Sequence, residues 1–544
     1  MKSASFLASV ALVAVTAASF VIISGCDTSI SGTQLDNQPP STQLSVRDTS
    51  LVGNIEERDR FASTVFVSWT GTDPDGFVTS FDLRYFNEGE RPGPEDEWNS
   101  TTRNDTLILL PIPRGEAVAN VVFEVRAVDN EGARDPRPAR TVFPIRNSPP
   151  TLRLNTFDLP PDTTFTVFSF SWTADDPEGA ETLSRIEISL NDTTNFVAVP
   201  PDISFITLVG EFDRNDPSET VSEAAVYAGR SFQSTDIRVP GLRLDADNVL
   251  YARAVDQTDT TSVRQQYAWY VRKPKGRVLY VNDYRKSTWP TIQAFHLELL
   301  REYMPASEQI DVWDLSKPYV SGSTGNTPRS DAFPSSVDPT LRQTWALYDY
   351  IYWVSTNTVN SVGGNNLPFG AGVMDLFFER GGKMMVHSPM TQPENPEDNL
   401  GNPAVLLLPI SDPFVRPDSL QRLELPTNSP LTPVQPLPGI GQPLPELKMR
   451  AFLFSELPFY ADGANIVPLY EGAYNYLTRR SVRGTWTSPR FVASISADRR
   501  VGLFALPLIN EQTGAPVIVG ADDDPETART AVKLMLESLE FPKR

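Results

Sequence analysis

Two histidines and one cysteine are the whole supply of imidazole and thiol in this chain, so the chemistry open to it is narrow from the outset. His387 is followed directly by Ser388, at the end of the β-type run Lys383-Met384-Met385-Val386. Asp283, Ser355 and Asn357 end or follow two similar runs, 276–281 and 348–355. A carboxylate, an imidazole and a hydroxyl at the carboxyl ends of neighbouring strands are the components of a hydrolytic site, and doubly wound sheets place ligands there. Against that, consecutive residues on a strand point to opposite faces, so His387 and Ser388 should diverge, and no Gly-x-Ser-x-Gly elbow is present. His387 is therefore expected to close a core strand, and His296, inside a helical stretch, to be structural.

Carboxylates offer a second chemistry. Asp73, Asp75 and Asp129, with Asp175, Asp176 and Asp256 in a later repeat, would converge at one end of each repeat, and hard cations such as calcium take several oxygen ligands at short range. Asp and Gly also favour turns without any metal, and the spacing completes no calcium-loop signature. The expectation is no cofactor, with calcium as the alternative.

Cys26 ends a charge-free apolar run, 6–23, that follows Met1-Lys2-Ser3, the pattern of an export signal. Ile23-Ser24-Gly25-Cys26 resembles the bacterial lipobox, which implies cleavage of a signal peptide 1–25 and a diacylglycerol and palmitate-type anchor on the Cys26 thiol. The rival is an uncleaved anchor, since about 18 apolar residues are near the minimum for a bilayer span. Either way the remainder lies outside the cytoplasm, in a bacterial cell envelope, with the membrane as partner. Asp27 resembles an inner-membrane retention signal of enteric bacteria, and the choice between inner and outer membrane stays open. A single cysteine forbids an intrachain disulfide. The net charge of −21 and the lack of a basic stripe oppose phosphate-backbone binding, so nucleic acid is not an expected partner. No Walker A loop, Gly-x-Gly-x-x-Gly, His-Glu-x-x-His or paired Cys-x-x-Cys occurs, which removes support for nucleotide and zinc enzymes.

The elements that must carry these residues fall into segments. Residues 26–44, rich in Ser, Thr, Asn, Gln and Pro, read as a flexible tether. Residues 45–147 and 148–272 then repeat one pattern. Val65-Phe66-Val67-Ser68-Trp69 leads into Asp73-Pro74-Asp75-Gly76, and Phe168-Ser169-Phe170-Ser171-Trp172 into Asp175-Asp176-Pro177-Glu178-Gly179; each copy later ends a strand in Ala-Val-Asp, at Asp129 and Asp256. Period-two alternation predicts a β-sandwich in each copy, plugged by its tryptophan. The pattern resembles fibronectin type III and immunoglobulin-like modules, which implies spacers or protein-binding surfaces.

From 273 to 544 strands alternate with helical stretches, notably 290–303 with Ile292, Phe295, Leu299 and Tyr303 on one face, and 372–380 closed by Gly381-Gly382. That alternation predicts a mainly parallel, doubly wound α/β sheet. The Tyr-Asp-hydrophobic strand at 348–354, the Gly-Gly after a helix and the His387-Ser388 strand end resemble the class I glutamine amidotransferase-like superfamily, particularly its trehalose-utilisation-like branch, over roughly 276–541. A Pro-rich insertion at 391–450 departs from that family and reads as a lid, a partner-binding loop or an ordered edge. The family's catalysis implies a cysteine nucleophile on a strand-to-helix elbow, and with Cys26 given to lipid none remains. The reading is thus a lipid-anchored binding or scaffolding protein acting on envelope protein or glycan, leaning away from enzyme activity. The alternative is an envelope hydrolase of carbohydrate or peptide working through the crevice around Asp283, Asn357 and His387.

Overall fold

A computed structural model describes residues 36–46, 61–90, 92–93, 98–113, 116–284, 286–315, 319–321, 328–330, 333–334, 337–356, 366–391, 402–454 and 456–544. Cys26 and Asn357 lie outside the described residues. The described residues divide between two compact units, one within 1–112 and 118–146, the other within 113–117 and 147–544.

In the first unit, strand Thr64–Thr72 lies between Ser41–Val46 and Asp105–Leu109, and faces a second sheet ordered Phe61–Ala62, Ala139–Arg146, Val118–Asp129, Val78–Asn87, Asn99–Thr101. Alternation sorts the side chains: Val65, Val67 and Trp69 are buried, while Phe66 and Ser68 between them are only half-buried. Trp69 packs against Phe81 and Phe123, each with ring centroids 6.1 Å away, and its indole N–H donates to the Arg103 carbonyl at 3.1 Å. The sandwich is as expected, but its start is not. Ser41–Leu44, assigned to the tether on composition, pair in antiparallel register with Trp69–Thr72. An edge strand gains main-chain hydrogen bonds whatever its side chains, so polar composition does not exclude it.

The second unit contains another sandwich. One sheet runs Thr163–Thr164, Gln265–Val271, Ala246–Asp256, Leu183–Leu190, Val197–Val199, and the other Gln233–Arg243, Val221–Ala228, Phe205–Gly210, Val167–Asp175, Thr151–Leu154. Phe168, Phe170, Trp172 and Trp269 belong to its core. Alternation fails on the tryptophan strand here: Val167 to Trp172 are all buried. The reason is that the outer face is covered too. Ser169 Oγ bonds Thr207 Oγ1 at 2.8 Å and Thr340 Oγ1, from the C-terminal region, at 2.5 Å. Arg214 donates to the carbonyls of Gly276 and Leu347, and Phe165 meets Trp313 and Tyr348 edge-on at 5.6 and 5.5 Å. Residues 148–272 and 273–544, read as separate domains, thus form one unit with two cores.

The C-terminal sheet begins as a parallel run ordered Ile310–Asp314, Val278–Asp283, Tyr350–Ser355, Lys383–His387, Val501–Phe504. It continues antiparallel through Phe491–Ser496, Ile466–Gly472, Pro430–Pro433, Leu447–Met449 and Ile518–Gly520. Pro430–Pro433 and Leu447–Met449 come from the supposed insertion, so its described part is an integral piece of the sheet. Helix Trp289–Tyr303 matches expectation, with Ile292, His296, Leu299, Leu300 and Tyr303 buried. The helix expected over 372–380 is shorter, Asp375–Glu379, and a separate short helix, Leu367–Ala371, precedes it; Gly372, between the two, weakens helix propagation. With 43% strand and 13% helix, the chain as a whole is a β-rich protein of several sheets.

Candidate functional site

Parallel register brings the candidate residues together. Asp283 is paired with Ser355, Val354 with His387, and His387 with Phe504, so Asp283, Ser355 and His387 end three adjacent strands. All are buried, Asp283 and Ser388 at 0% exposure and His387 at 4%. Asp283 accepts from the Asn366 backbone N–H at 2.6 Å and from Asn366 Nδ2 at 2.9 Å. Ser388 Oγ bonds Ser355 Oγ at 2.6 Å. The imidazole of His387 turns the other way, as strand alternation requires, into an aromatic wall: His296 at 4.7 Å, Tyr352 at 5.0 Å and Phe504 at 5.9 Å between ring centroids. Neither of its ring nitrogens has a hydrogen-bond partner among the described residues. His296 Nδ1 bonds the Tyr352 hydroxyl at 2.8 Å.

Electrostatics follow from burial. Loss of water holds His387 well below the ordinary imidazole range, with His296 beside it adding to the effect. Burial and then the Arg529 charge lower His296 to about 3. Both rings are neutral near pH 7, and a general base so depressed is far from the matched value that efficient proton transfer needs. Ser388 is bonded to Ser355, and neither His387 ring nitrogen reaches a serine among the described residues. The residues meet, as a hydrolase requires, and all of them are buried. A cavity of about 180 Å³ lies between the second sandwich and the sheet edge, lined by Thr163, Thr164, Phe165, Arg272, Trp313 and Asp314, and none of the candidate residues lines it.

The calcium candidates sit at turns. Asp75 accepts from the Gln38 N–H at 3.0 Å. Asp129 accepts from Asn37 Nδ2 at 2.7 Å and from the N–H groups of Glu131 and Ala133; burial pushes its carboxyl up, but these donors outweigh it and hold it below the ordinary carboxylate range. Asp73 is pushed up by loss of water and by Asp75 and Asp129. In the second sandwich Asp256 repeats the role of Asp129, accepting from Asn147 Nδ2 and from the N–H groups of Thr258 and Thr260. Among the described residues no three His, Cys, Asp or Glu side chains form a ready metal cage.

No family model and no curated protein matches the chain. Solved structures similar to parts of it include fibronectin(III)-like modules of CbhA from Clostridium thermocellum, at 14% identity over 42% of this chain and 95% of that one with a TM-score of 0.16. The PKD1 domain of Vibrio anguillarum Epp follows at 14% identity over 20% and 98%, TM-score 0.13, and the chicken interferon gamma receptor alpha chain at 10% over 43% and 98%, TM-score 0.18. Such TM-scores carry no argument; the sandwiches stand on their own strand pairing.

Two residues of these sites escaped the sequence reading. Asn366, which holds Asp283, was signalled by Asn366-Leu367-Pro368, a helix start with proline in the first turn. Glu178 was signalled by laying Asp176-Pro177-Glu178-Gly179 on Asp73-Pro74-Asp75-Gly76.

Proposed function

We propose that this chain is a lipid-anchored component of the bacterial cell envelope that binds or scaffolds protein or glycan outside the cytoplasm and catalyses no reaction itself. The noncatalytic part is supported by the buried strand-end cluster, where Asp283, Ser355 and Ser388 are engaged in internal hydrogen bonds and His387 packs among aromatic rings with no hydrogen-bond partner among the described residues. The anchor is supported by the lipobox-like Ile23-Ser24-Gly25-Cys26. The amidotransferase-like, doubly wound reading of 276–541 is supported by the parallel strand run with His387 at a strand end, and the cysteine chemistry of that family has no thiol to run on, Cys26 being the only one. An exposed aromatic pair, Phe452 and Phe454, with rings 6.1 Å apart and the Arg422 guanidinium 5.5 Å from Phe454, supplies a surface of the type that interfaces favour.

The test compares the full chain with Cys26→Ala and His387→Ala by fatty-acid labelling, membrane fractionation and turnover of cell-wall glycan and peptide fragments. Labelling and membrane retention should disappear in Cys26→Ala, and no turnover should be seen in any form. Retention of the Cys26→Ala chain would replace the lipid by an uncleaved anchor, and turnover lost specifically in His387→Ala would replace the scaffold by a hydrolase.

A further inference from the structure

In the second sandwich, the turn that follows the tryptophan strand buries two carboxylates against each other. Asp176 is 4% and Glu178 7% exposed. Asp176 Oδ1 accepts from the Glu178 N–H at 2.9 Å, and Glu178 Oε1 from the Ser148 N–H at 3.2 Å. The second oxygen of each, Asp176 Oδ2 and Glu178 Oε2, is buried with no hydrogen-bond donor among the described residues. The nearby Thr182 hydroxyl donates to the Gly179 carbonyl at 2.7 Å and lies close enough to Asp176 to lower its carboxyl, without outweighing burial and Glu178. Two buried anionic oxygens that face each other with no donor repel, and removing such groups from water is costly unless a positive charge compensates. Among the described residues no Lys or Arg makes an ion pair with either, the basic residues of this sandwich pairing with Asp158, Glu187, Glu211, Glu219 and Asp259 instead. The strap that closes the turn is built alike: Asn147 and Ser148, consecutive in the chain, reach Asp256 and Glu178.

We propose that Asp176 and Glu178 form a calcium site, the cation lying against Asp176 Oδ2 and Glu178 Oε2 with water completing its shell. Oxygen-only ligands suit a hard cation, and two carboxylates suit the weak class of extracellular calcium modules, with dissociation constants of about 0.1 to 1 mM. The pair lies outside the strand-end cluster and is independent of whether that cluster is catalytic. It differs from the first sandwich in burial: there Asp75, the counterpart of Glu178, is exposed and accepts from the Gln38 N–H, although Asp73 likewise has both carboxyl oxygens buried with no donor among the described residues.

The experiment is a thermal melt of the full chain at a pH of about 8 with calcium titrated to about 10 mM, against chelator and against magnesium. Wild type, Asp176→Asn, Glu178→Gln and Asp73→Asn are compared. Calcium should raise the melting temperature of the wild-type chain and of Asp73→Asn by several degrees, and at least tenfold more calcium should be needed in the other two. Asp176→Asn should melt above wild type in chelator, since it relieves repulsion without changing shape, which separates loss of binding from loss of folding. No calcium shift in the wild-type chain would mean that the pair shares a proton instead, and a shift kept in both carboxamide variants would place the cation elsewhere; either result overturns the site.

Discussion

A buried imidazole with two unsatisfied nitrogens carries a desolvation cost that nothing around it returns. His387 is such a group, and if it is only a wall of the core, an apolar residue of similar size should serve better. His387→Leu is expected to raise stability by about 1 kcal/mol in chemical denaturation; a loss of stability would point to a partner or a ligand for the ring. Asp176 makes a second prediction, through pH. Burial and then the facing Glu178 push its carboxyl up to about 7, whereas an unfolded Asp titrates at about 4. Between those values the folded chain holds a proton that the unfolded chain releases. The contribution is full below the unfolded value and is lost as pH rises through the folded one. In chelator, the stability of wild type relative to Asp176→Asn should therefore fall between a pH of about 4 and about 7. The comparison with the variant is needed because His296 and His387, whose folded values are depressed, act with the opposite slope: their contribution is present above the ordinary imidazole value and is lost as pH falls below it.

At the scale of elements, each sandwich depends on one large plug and each junction on one close approach. Trp69 is 1% exposed and touches both sheets of its sandwich. Trp69→Ala should cost about 3 to 5 kcal/mol, read as an earlier urea transition of the first unit with the second unit unchanged. Gly276 stands where the second sandwich hands over to the parallel sheet. A Cβ there would sit 1.6 Å from the Gln309 carbonyl oxygen, a backbone atom that cannot rotate away. Gly276→Ala should therefore displace the start of the Val278–Asp283 strand and cost about 1 to 3 kcal/mol. A melt unchanged by that substitution would show that the strand start is free to shift.

At the scale of the molecule, the second sandwich and the C-terminal sheet behave as one body, because the sandwich lends Phe165 to the larger core and its outer face is buried under Thr340. A fragment 147–544 should melt as that unit does in the full chain. A fragment 273–544 should be aggregation-prone, since it leaves Trp313 and Tyr348 without Phe165. Independent, well-folded melting of 273–544 would refute the shared core.

The sequence by itself determined what is periodic or covalent: two tryptophan-plugged sandwiches from alternation, the 289–303 helix from its apolar face, the impossibility of an intrachain disulfide from a single cysteine, and the divergence of His387 from Ser388. Those features depend on neighbours within a few residues. Tertiary structure decided the rest. Alternation could not reveal that the outer face of Val167–Asp175 is buried, because the covering residue lies 171 positions away from Ser169. Composition could not show that Pro430–Pro433 belongs to a sheet, because its two prolines lack a main-chain donor and argue against a strand, whereas the carbonyls they keep and the Leu431 and Thr432 groups still pair with neighbours far along the chain. Nor could residue types give the surroundings of the strand ends: Asp283, Ser355 and His387 were legible as strand-end neighbours, but their burial and their contacts with Asn366, Tyr352 and Phe504 come only from packing.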